Sequence, residues 1–406
     1  MLKAVQMKAK ITPEGRFFPP IMPNGHWAEE LADDQYVSVL ILEINGKKLV
    51  WACLDVISMD EEFSTKTRER ISESLGVSFE HINLGYTHSH CAPRLGKGKG
   101  MMKSSPQEYL DFVSDKLVDV CERCMKQKME EVEVFEKNYD GSAFYSNRNG
   151  LDKIGDTQIK LLELRNAENE IKGLVLLYAC HATVVNFQNT RDMNSDLAGY
   201  LCRGLEKKTG VYPVVMLGAA GDMSNRCLRQ GNDYNELIRV GEGLLEELNK
   251  ETTERSLVID DIQVDSYQFK ETYVTTKQQR QAQIDNIHHQ IEKAATADLK
   301  RVFNSALRHA MMNPDGGTFV LDVKGQILRM GDLEICTMPA ELFSCFGLEI
   351  KQAMQVKCPV FWGYSNYSVG YLYNKEEAGL SFESAATNIP VGATEEIVAM
   401  LKEKVR

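Results

Sequence analysis

Histidine is scarce in this chain, and two of its eight copies form the pair His88-x-His90. On a strand or an extended turn, residues two positions apart point to the same side. Both imidazoles could therefore reach one metal ion, or one could bind metal while the other touches substrate. His181 follows a separate apolar run and would be the third nitrogen. A hydrolytic zinc ion takes about three His or carboxylate ligands and keeps one position for water. For an isolated His-x-His pair, the alternative is two partly exposed histidines after a strand.

Residues 221–224, Gly-Asp-Met-Ser, form a glycine-hinged turn that carries a carboxylate and a hydroxyl. The turn is not a phosphate loop, because no Gly-Lys-Ser/Thr follows, and it lacks the spacing of the Gly-x-Ser-x-Gly elbow. Capping of a helix by Asp222 or Ser224 is its ordinary interpretation. The basic stretch 96–100, Gly-Lys-Gly-Lys-Gly, is either an active-site flap or a surface loop.

Aspartates near predicted strand ends are a second group of candidates. They are Asp55, Asp192, Asp196 and Asp222. If their carboxylates converged, they could hold a hard cation or anchor the histidines through hydrogen bonds. Solvation in loops is the alternative.

These side chains must be positioned by a chain in which apolar, β-rich runs alternate with helical patterns. Runs 36–44 and 48–55 flank Asn45-Gly46, a dipeptide typical of a β-hairpin, whereas later runs are separated by helical stretches. Because hairpins and crossovers both occur, we predict an α/β fold with a mixed β-sheet core flanked by helices. The polar helical stretch 278–312 is predicted to be an insertion. Several β-runs end in reactive side chains, which is where open α/β sheets place their ligands.

Composition excludes several classes of protein. The 406 residues carry 47 Lys and Arg against 58 Asp and Glu, a net charge of −11, so the basic surface that nucleic acids require is missing. No apolar run reaches the roughly 18 residues of a transmembrane helix. The start of the chain lacks the apolar stretch of a signal peptide, and its ten dispersed cysteines are typical of reduced thiols. We therefore expect a cytoplasmic protein, whose oligomeric state stays open.

The order of these motifs resembles one known family. Residues 87–93, Thr-His-Ser-His-Cys-Ala-Pro, are similar to the Thr-His-Thr-His-Ser-Gly-Pro signature of the neutral/alkaline, non-lysosomal ceramidases. Other segments that resemble the family occur in its order, namely 8–13 (KAKITP), 147–148 (NR), 181–183 (HAT), 194–200, 221–224 (GDMS), 339–341 (PAE) and 371–377. Because the resemblance covers nearly the whole chain, it implies a single ceramidase-like catalytic domain over residues 1–406.

Members of this family hydrolyse the amide bond of ceramide at a zinc ion, so the resemblance implies a zinc-dependent amidohydrolase. Carried over by motif, the metal ligands are His88, His181, Glu341 and Tyr371, the substrate-facing residues are His90 and Arg148, and the serine taken to be the nucleophile is Ser224. Water activated by zinc is the alternative nucleophile.

The chain departs from the family pattern on the substrate side. Cys91-Ala92 replaces Ser-Gly, Asn225 replaces the proline after the serine, and Phe382 replaces a tyrosine. We therefore expect the substrate to be a small, soluble N-acyl amide rather than a long-chain ceramide. Three alternatives stay open: a zinc-dependent esterase or lactonase, a Mg²⁺-dependent phosphoryl-transfer enzyme that uses the aspartates, and a non-catalytic ligand-binding homologue.

Overall fold

The computed structural model describes residues 1–15, 28–97, 104–185 and 190–405, so positions 98–100 of the predicted flap lie outside the described residues. In chain order the strands are β1 (Lys3–Lys10), β2 (Tyr36–Ile44), β3 (Lys47–Leu54), β4 (Ser58–Met59), β5 (Ile82–Tyr86), β6 (Arg94–Leu95), β7 (Glu130–Glu131), β8 (Glu133–Asp140), β9 (Ser146–Asn147), β10 (Gln158–Arg165), β11 (Ile171–Tyr178), β12 (Val214–Leu217), β13 (Met223–Ser224), β14 (Glu254–Leu257), β15 (Gln263–Thr275), β16 (Gly317–Met330), β17 (Leu333–Thr337), β18 (Glu341–Leu342), β19 (Cys358–Trp362) and β20 (Tyr371–Leu372). The helices are α1 (Glu61–Leu75), α2 (Gln107–Lys126), α3 (Asp196–Thr209), α4 (Tyr234–Glu247), α5 (Lys277–Lys293), α6 (Ala297–Ala310), α7 (Ser344–Ala353), α8 (Phe382–Ala385) and α9 (Ala393–Lys404).

The first sheet has the strand order β5-β3-β2-β1-β7. The predicted hairpin between β2 and β3 is confirmed, and its turn residues Asn45 and Gly46 both have positive φ angles, 52° and 78°. β3 and β5 run parallel, with α1 in the crossover between them. Asp60 caps α1 by accepting a hydrogen bond from the N–H of Phe63. β5 ends at Tyr86 and leads directly towards His88.

The second sheet has the order β12-β11-β10-β8-β14, and α3 lies between the parallel strands β11 and β12 in the sequence. The carboxyl ends of these two strands therefore lie at one edge, which brings His181 close to the turn 221–224. Gln6 on β1 exchanges hydrogen bonds with the backbone of Leu174 on β11. The apolar side chains of the first two sheets form one continuous core.

The third sheet has the order β15-β16-β17-β19 and packs against a second apolar cluster, to which α7 and α9 contribute. β17 leads through Pro339 to Glu341 at the start of β18. β18 pairs in parallel with β20, which places Glu341 beside Tyr371. The mixed pairings of all three sheets confirm the predicted α/β class.

The predicted helical stretch 278–312 consists of α5 and α6, capped by Thr276 and Thr296. Their apolar faces form a small cluster of Ile284, Ile287, Phe303, Ala306, Ala310 and Ala385. Because Ala385 belongs to α8, this cluster joins the helix pair to the segment that follows β20.

Other sequence predictions have mixed outcomes. Within the described ranges no helix is long and apolar enough to cross a membrane, and all ten cysteines are free thiols. Between β14 and β15, the N–H of Val258 donates to the Asp332 carboxylate and its carbonyl oxygen accepts from the Asp332 N–H, both at 2.8 Å. Strand β8 and the helices α7 and α9 were not predicted.

Candidate metal centre

His88 follows β5 in a left-handed backbone conformation, with a φ angle of 61°. Its N–H donates to the carbonyl oxygen of Val56 at 3.0 Å, and its Nδ1 lies 2.6 Å from the carbonyl oxygen of Ile57. The extended arrangement expected for residues 88–90 is therefore wrong. A left-handed non-glycine residue costs conformational energy, and such strain clusters at functional sites.

His181 lies beyond β11 and is tied to the turn at the end of β12. Its N–H donates to the carbonyl oxygen of Met223 at 3.0 Å, and its Nδ1 lies 3.2 Å from the carbonyl oxygen of Ala220. Because a carbonyl oxygen only accepts, Nδ1 carries the proton in both His88 and His181. In the neutral form of either ring, the free lone pair is then on Nε2.

The three imidazoles converge through their Nε2 atoms. The distances are 3.1 Å between His88 and His181, 3.2 Å between His90 and His181, and 3.3 Å between His90 and His88. In the described part of the chain, this is the only group of three or more potential metal ligands with donor atoms so close together. Burial lowers the pKa of both His90 and His181 well below the ordinary value, so both are neutral, the form that binds metal.

Glu341 brings a carboxylate to the same point. Its Oε2 lies 3.3 Å from His88 Nε2 and 3.7 Å from His181 Nε2. This oxygen is buried and has no hydrogen-bond partner among the described residues. A buried carboxylate oxygen usually has a hydrogen-bond partner or a cation beside it. An unpartnered one next to three imidazole nitrogens is the arrangement expected of a cation-binding site.

Tyr371 and Arg148 lie beside this cluster. The Tyr371 ring is stacked on His181, with 6.3 Å between centroids, and its hydroxyl accepts a hydrogen bond from Arg148 Nη2 at 3.2 Å. Burial and the nearby Glu341 raise the pKa of the Tyr371 phenol. The structure thus places Tyr371 next to the proposed ligands, with its oxygen engaged by Arg148.

Arg148 is held rigidly by partners at two of its three nitrogens. Nε donates to Glu383 at 2.6 Å, and Nη2 donates to the carbonyl oxygen of Gly221 at 2.7 Å. Although burial lowers its pKa, Glu383, Tyr371 and Tyr364 together outweigh that effect and raise the pKa of the guanidinium. Nη1 forms no hydrogen bond with the described residues, which leaves it as the nitrogen that can meet an oxygen of a ligand.

Ser224 is buried in the short strand β13, which pairs with β9 next to Arg148. Its Oγ accepts a hydrogen bond from the N–H of Arg226 at 3.1 Å. Within the described ranges, no histidine nitrogen forms a hydrogen bond with this oxygen. Ser224 therefore has a hydroxyl proton to donate, and none of the described histidines is bonded to it as a base.

The four aspartates considered as a second cation site are not gathered into one, as far as the described residues show. Three of their carboxylates accept hydrogen bonds from separate partners. Asp55 accepts from the N–H of Tyr36 and the hydroxyl of Tyr212. Asp196 accepts from the N–H of Val185, and Asp222 accepts from the N–H of Ser344. The local helix cap expected at Asp222 or Ser224 is wrong, because the chain continues there as strand β13. The Asp222 carboxylate instead bonds to Ser344, the first residue of the distant helix α7, whose N-cap position is Phe343.

Two residues of this site escaped sequence reasoning. Tyr364 is fully buried with a φ angle of 53°, its ring centroid is 4.8 Å from that of His88, and its hydroxyl has no partner among the described residues. Like the histidines, it directly follows a strand, here β19, and that placement was the available signal. The role of Glu383 as the partner of Arg148 follows from α8, which sequence patterns did not reveal.

Comparison with known proteins identifies the architecture. The crystal structure of neutral ceramidase from Pseudomonas aeruginosa matches 100% of this chain and 75% of that chain, with a TM-score of 0.73 and 18% sequence identity. The chain has the neutral ceramidase fold. A structure of a ceramidase complexed with C2 matches 99% of this chain and 74% of that chain, with a TM-score of 0.70 and 17% identity. The motif resemblance to ceramidases is thus confirmed at the level of the fold.

No protein-family model matches the chain, and no curated protein matches it. On the neutral ceramidase fold, the seven residues selected by motif lie on or directly beyond the short strands and strand ends described above.

Proposed function

We propose that this protein is a zinc-dependent amidohydrolase that cleaves the amide bond of a small N-acyl compound. The observation that carries this proposal is the convergence of three imidazole Nε2 atoms, 3.1 to 3.3 Å apart, beside the buried and unpartnered Oε2 of Glu341. The fold shared with neutral ceramidase supports an amide as the bond that is cleaved.

The donor set fits zinc, which takes imidazole and carboxylate ligands. The ligands we propose are His88, His181 and Glu341, with Tyr371 as the fourth. His90 is the most exposed of the three histidines, and for this reason we assign it to the substrate side. When bound, a zinc ion polarises a carbonyl oxygen and lowers the pKa of a water molecule from about 16 towards about 7.

The remaining residues hold the substrate and its developing charge. Arg148 offers Nη1 to the carbonyl oxygen, because its other nitrogens are bonded to Glu383, Gly221 and Tyr371. Ser224 donates its free hydroxyl proton to the same oxygen. A single donor of this kind is typically worth about 3 kcal/mol of transition-state stabilisation. Neutral His90 accepts the proton of the attacking water at Nε2 and then donates it to the leaving amine.

Water, rather than Ser224, is the nucleophile in this proposal, because no histidine in the described ranges accepts the serine proton. The phosphoryl-transfer alternative required converging aspartates, and their carboxylates are bonded separately. Esters and lactones remain chemically accessible to the same groups, and the experiment below distinguishes them from amides.

The test is a substrate panel on the purified protein with its metal content measured. The panel contains short N-acyl amides, the corresponding esters, a lactone, a long-chain ceramide in micelles and a phosphate monoester. We expect one zinc per chain and the highest kcat/KM on a short N-acyl amide. His181→Ala should lose most of the zinc and the turnover, whereas the exposed His289→Ala on α5 should retain both. Full zinc retention in His181→Ala would contradict the ligand set, and activity on esters alone or on phosphate would contradict the reaction.

A further inference from the structure

The helix pair α5–α6 contacts the segment that follows β20, and side-chain amides of α5 form most of the hydrogen bonds between them. Asn286 Nδ2 and Gln290 Nε2 both donate to the carbonyl oxygen of Gly379, at 2.7 Å and 3.0 Å. Gln283 Nε2 donates to the carbonyl oxygens of Ala385 and Thr387, at 3.3 Å and 3.4 Å. The bonds fall before and after α8, so both of its ends are fixed by the same helix.

An apolar contact reinforces these bonds. Ala385 of α8 is buried in the cluster formed by Ile284 and Ile287 of α5 and by Phe303 of α6, and Phe382 packs against it. The helix α8 has four residues, too few for an isolated helix to be stable in water. Its position is therefore determined by what it packs against, and on one side this is the pair α5–α6.

The opposite side of α8 reaches the candidate metal centre. Glu383 is fully buried, and its two oxygens accept hydrogen bonds from Arg148 Nε at 2.6 Å and from Asn149 Nδ2 at 3.1 Å. Phe382 contacts the ring of Tyr371 edge-on, with 6.0 Å between centroids. A continuous series of contacts thus runs from α5 through α8 to Arg148.

We infer that the pair α5–α6 is a positioning element for Arg148, acting through Glu383. By fixing α8, it sets the orientation of the guanidinium and with it the direction of Nη1, the nitrogen offered to the substrate carbonyl. Asn286, Gln290 and Glu383 are accordingly positioning residues that do not touch the substrate. This inference rests on the proposed function, because it assigns Arg148 a substrate oxygen to meet.

The geometry makes the site sensitive to small displacements of α8. The bond between Glu383 and Arg148 joins two buried charges, so a shift of the carboxylate moves the guanidinium with it. A misplacement of about 1 Å at a reacting group can lower a rate about a hundredfold. Removing the hydrogen bonds from α5 to Gly379 should therefore lower kcat without removing the metal ligands.

The experiment is a double-mutant cycle on the full chain, with the best amide of the panel as the substrate. The double variant Asn286→Ala/Gln290→Ala and the single variant Glu383→Gln are each made in the natural chain and in Arg148→Met. The matched control is Gln281→Ala, an amide of the same helix that bonds to Asp285 within α5 at 2.8 Å. For every variant kcat, KM, zinc content and Tm are measured.

We expect Asn286→Ala/Gln290→Ala to lower kcat about tenfold at unchanged zinc content, and to cause no further loss in Arg148→Met. Gln281→Ala should keep the natural kcat. Equal losses in both backgrounds, or no loss in either, would overturn the inference. If Glu383→Gln fails to fold, the test still rests on Asn286→Ala/Gln290→Ala, which changes two half-buried side chains. If Arg148→Met itself leaves turnover unchanged, it is the proposed role of Arg148 that fails.

Discussion

Two buried oxygens at the histidine cluster have no hydrogen-bond partner among the described residues, Glu341 Oε2 and the Tyr364 hydroxyl. An unsatisfied buried polar group costs about 1 to 3 kcal/mol of stability. For Glu341, the proposed metal ion would supply the missing partner. Tyr364 is held by a strained backbone against His88, so the folded chain tolerates two unfavourable features at one position.

Tyr364→Phe is therefore predicted to stabilise the metal-free protein, because it removes an unpartnered hydroxyl and keeps the ring. The expected gain in the free energy of unfolding is about 1 kcal/mol. The matched control is Tyr145→Phe, a fully buried tyrosine whose hydroxyl donates to the carbonyl oxygen of Thr157 at 3.0 Å, and this variant should lose about as much. Denaturant unfolding measures both. Equal destabilisation by the two substitutions would show that the Tyr364 hydroxyl has a partner.

Ser224→Ala distinguishes three roles of one hydroxyl. If the hydroxyl donates to the substrate carbonyl oxygen, as we propose, the variant should have a kcat about a hundredfold lower at full zinc content. A purely structural role leaves kcat nearly intact and costs about 1 kcal/mol of stability. A nucleophilic role costs several powers of ten and predicts an acyl-enzyme burst. Zinc must be measured on the same sample, because a lost metal would imitate a lost nucleophile.

At the scale of elements, short strands and turns at strand ends place the site. The apolar run before His181 predicted β11, and with it the position of His181, because this strand of eight residues is largely buried. His88 follows the shorter buried strand β5, which has five residues. Neither the left-handed turn at His88 nor the pairing of β18 with β20 could be predicted in this way. Both depend on contacts between segments distant in sequence, such as the 3.0 Å bond from the Glu341 N–H to the carbonyl oxygen of Gly370.

Gly221 shows how closely two of these segments approach. A Cβ atom at this position would lie 2.4 Å from the backbone carbonyl oxygen of Glu341, and backbone cannot move aside as a side chain can. Gly221→Ala is therefore predicted to displace β18, to lower zinc affinity at least tenfold and to lower kcat with it. Gly231→Ala, whose Cβ would find ordinary contacts of 3.5 Å and beyond, is the control. Competition with a chelator measures the affinity, and unchanged zinc affinity in Gly221→Ala would contradict the placement of Glu341.

At the scale of the whole molecule, the class of fold was predictable because apolar runs and helical patterns alternate along most of the chain. The helix pair 278–312 was predictable for the same reason, but its packing on α8 was not, because that packing consists of amide bonds to backbone carbonyl oxygens. The hydrogen-bond partners of the aspartates could not be predicted either, because Asp55 and Asp222 bond to residues far away in sequence.

Buried aspartates should also make the stability of the molecule pH-dependent. Burial raises the pKa of Asp55 to about 7, although a backbone N–H opposes the shift. In the unfolded chain the value is about 4, so between about pH 4 and 7 the folded state binds more protons and stability falls as the pH rises. At about 1.4 kcal/mol per pKa unit, the loss is at most about 4 kcal/mol.

Asp55→Asn should remove this part of the slope, because the amide oxygen can still accept from Tyr36 and Tyr212 and cannot ionise. The control is Asp140→Asn, since hydrogen bonds from Ser142 and Thr157 outweigh burial and lower the pKa of Asp140. That group stabilises the fold above about pH 4 and loses its effect as the pH falls. Denaturant unfolding across this range measures both slopes. A slope that Asp55→Asn leaves unchanged would show that Asp55 is ionised throughout.

The most direct measurement is a titration of the metal-free protein with zinc while hydrolysis of a short N-acyl amide is followed. If His88, His181 and Glu341 hold one catalytic ion, hydrolysis should be absent at the start, rise in proportion to added zinc and level off at one equivalent. His181→Ala should give no rise over the same range. Full hydrolysis by the metal-free protein, or no hydrolysis once one equivalent of zinc is bound, would contradict a catalytic metal at the histidine cluster.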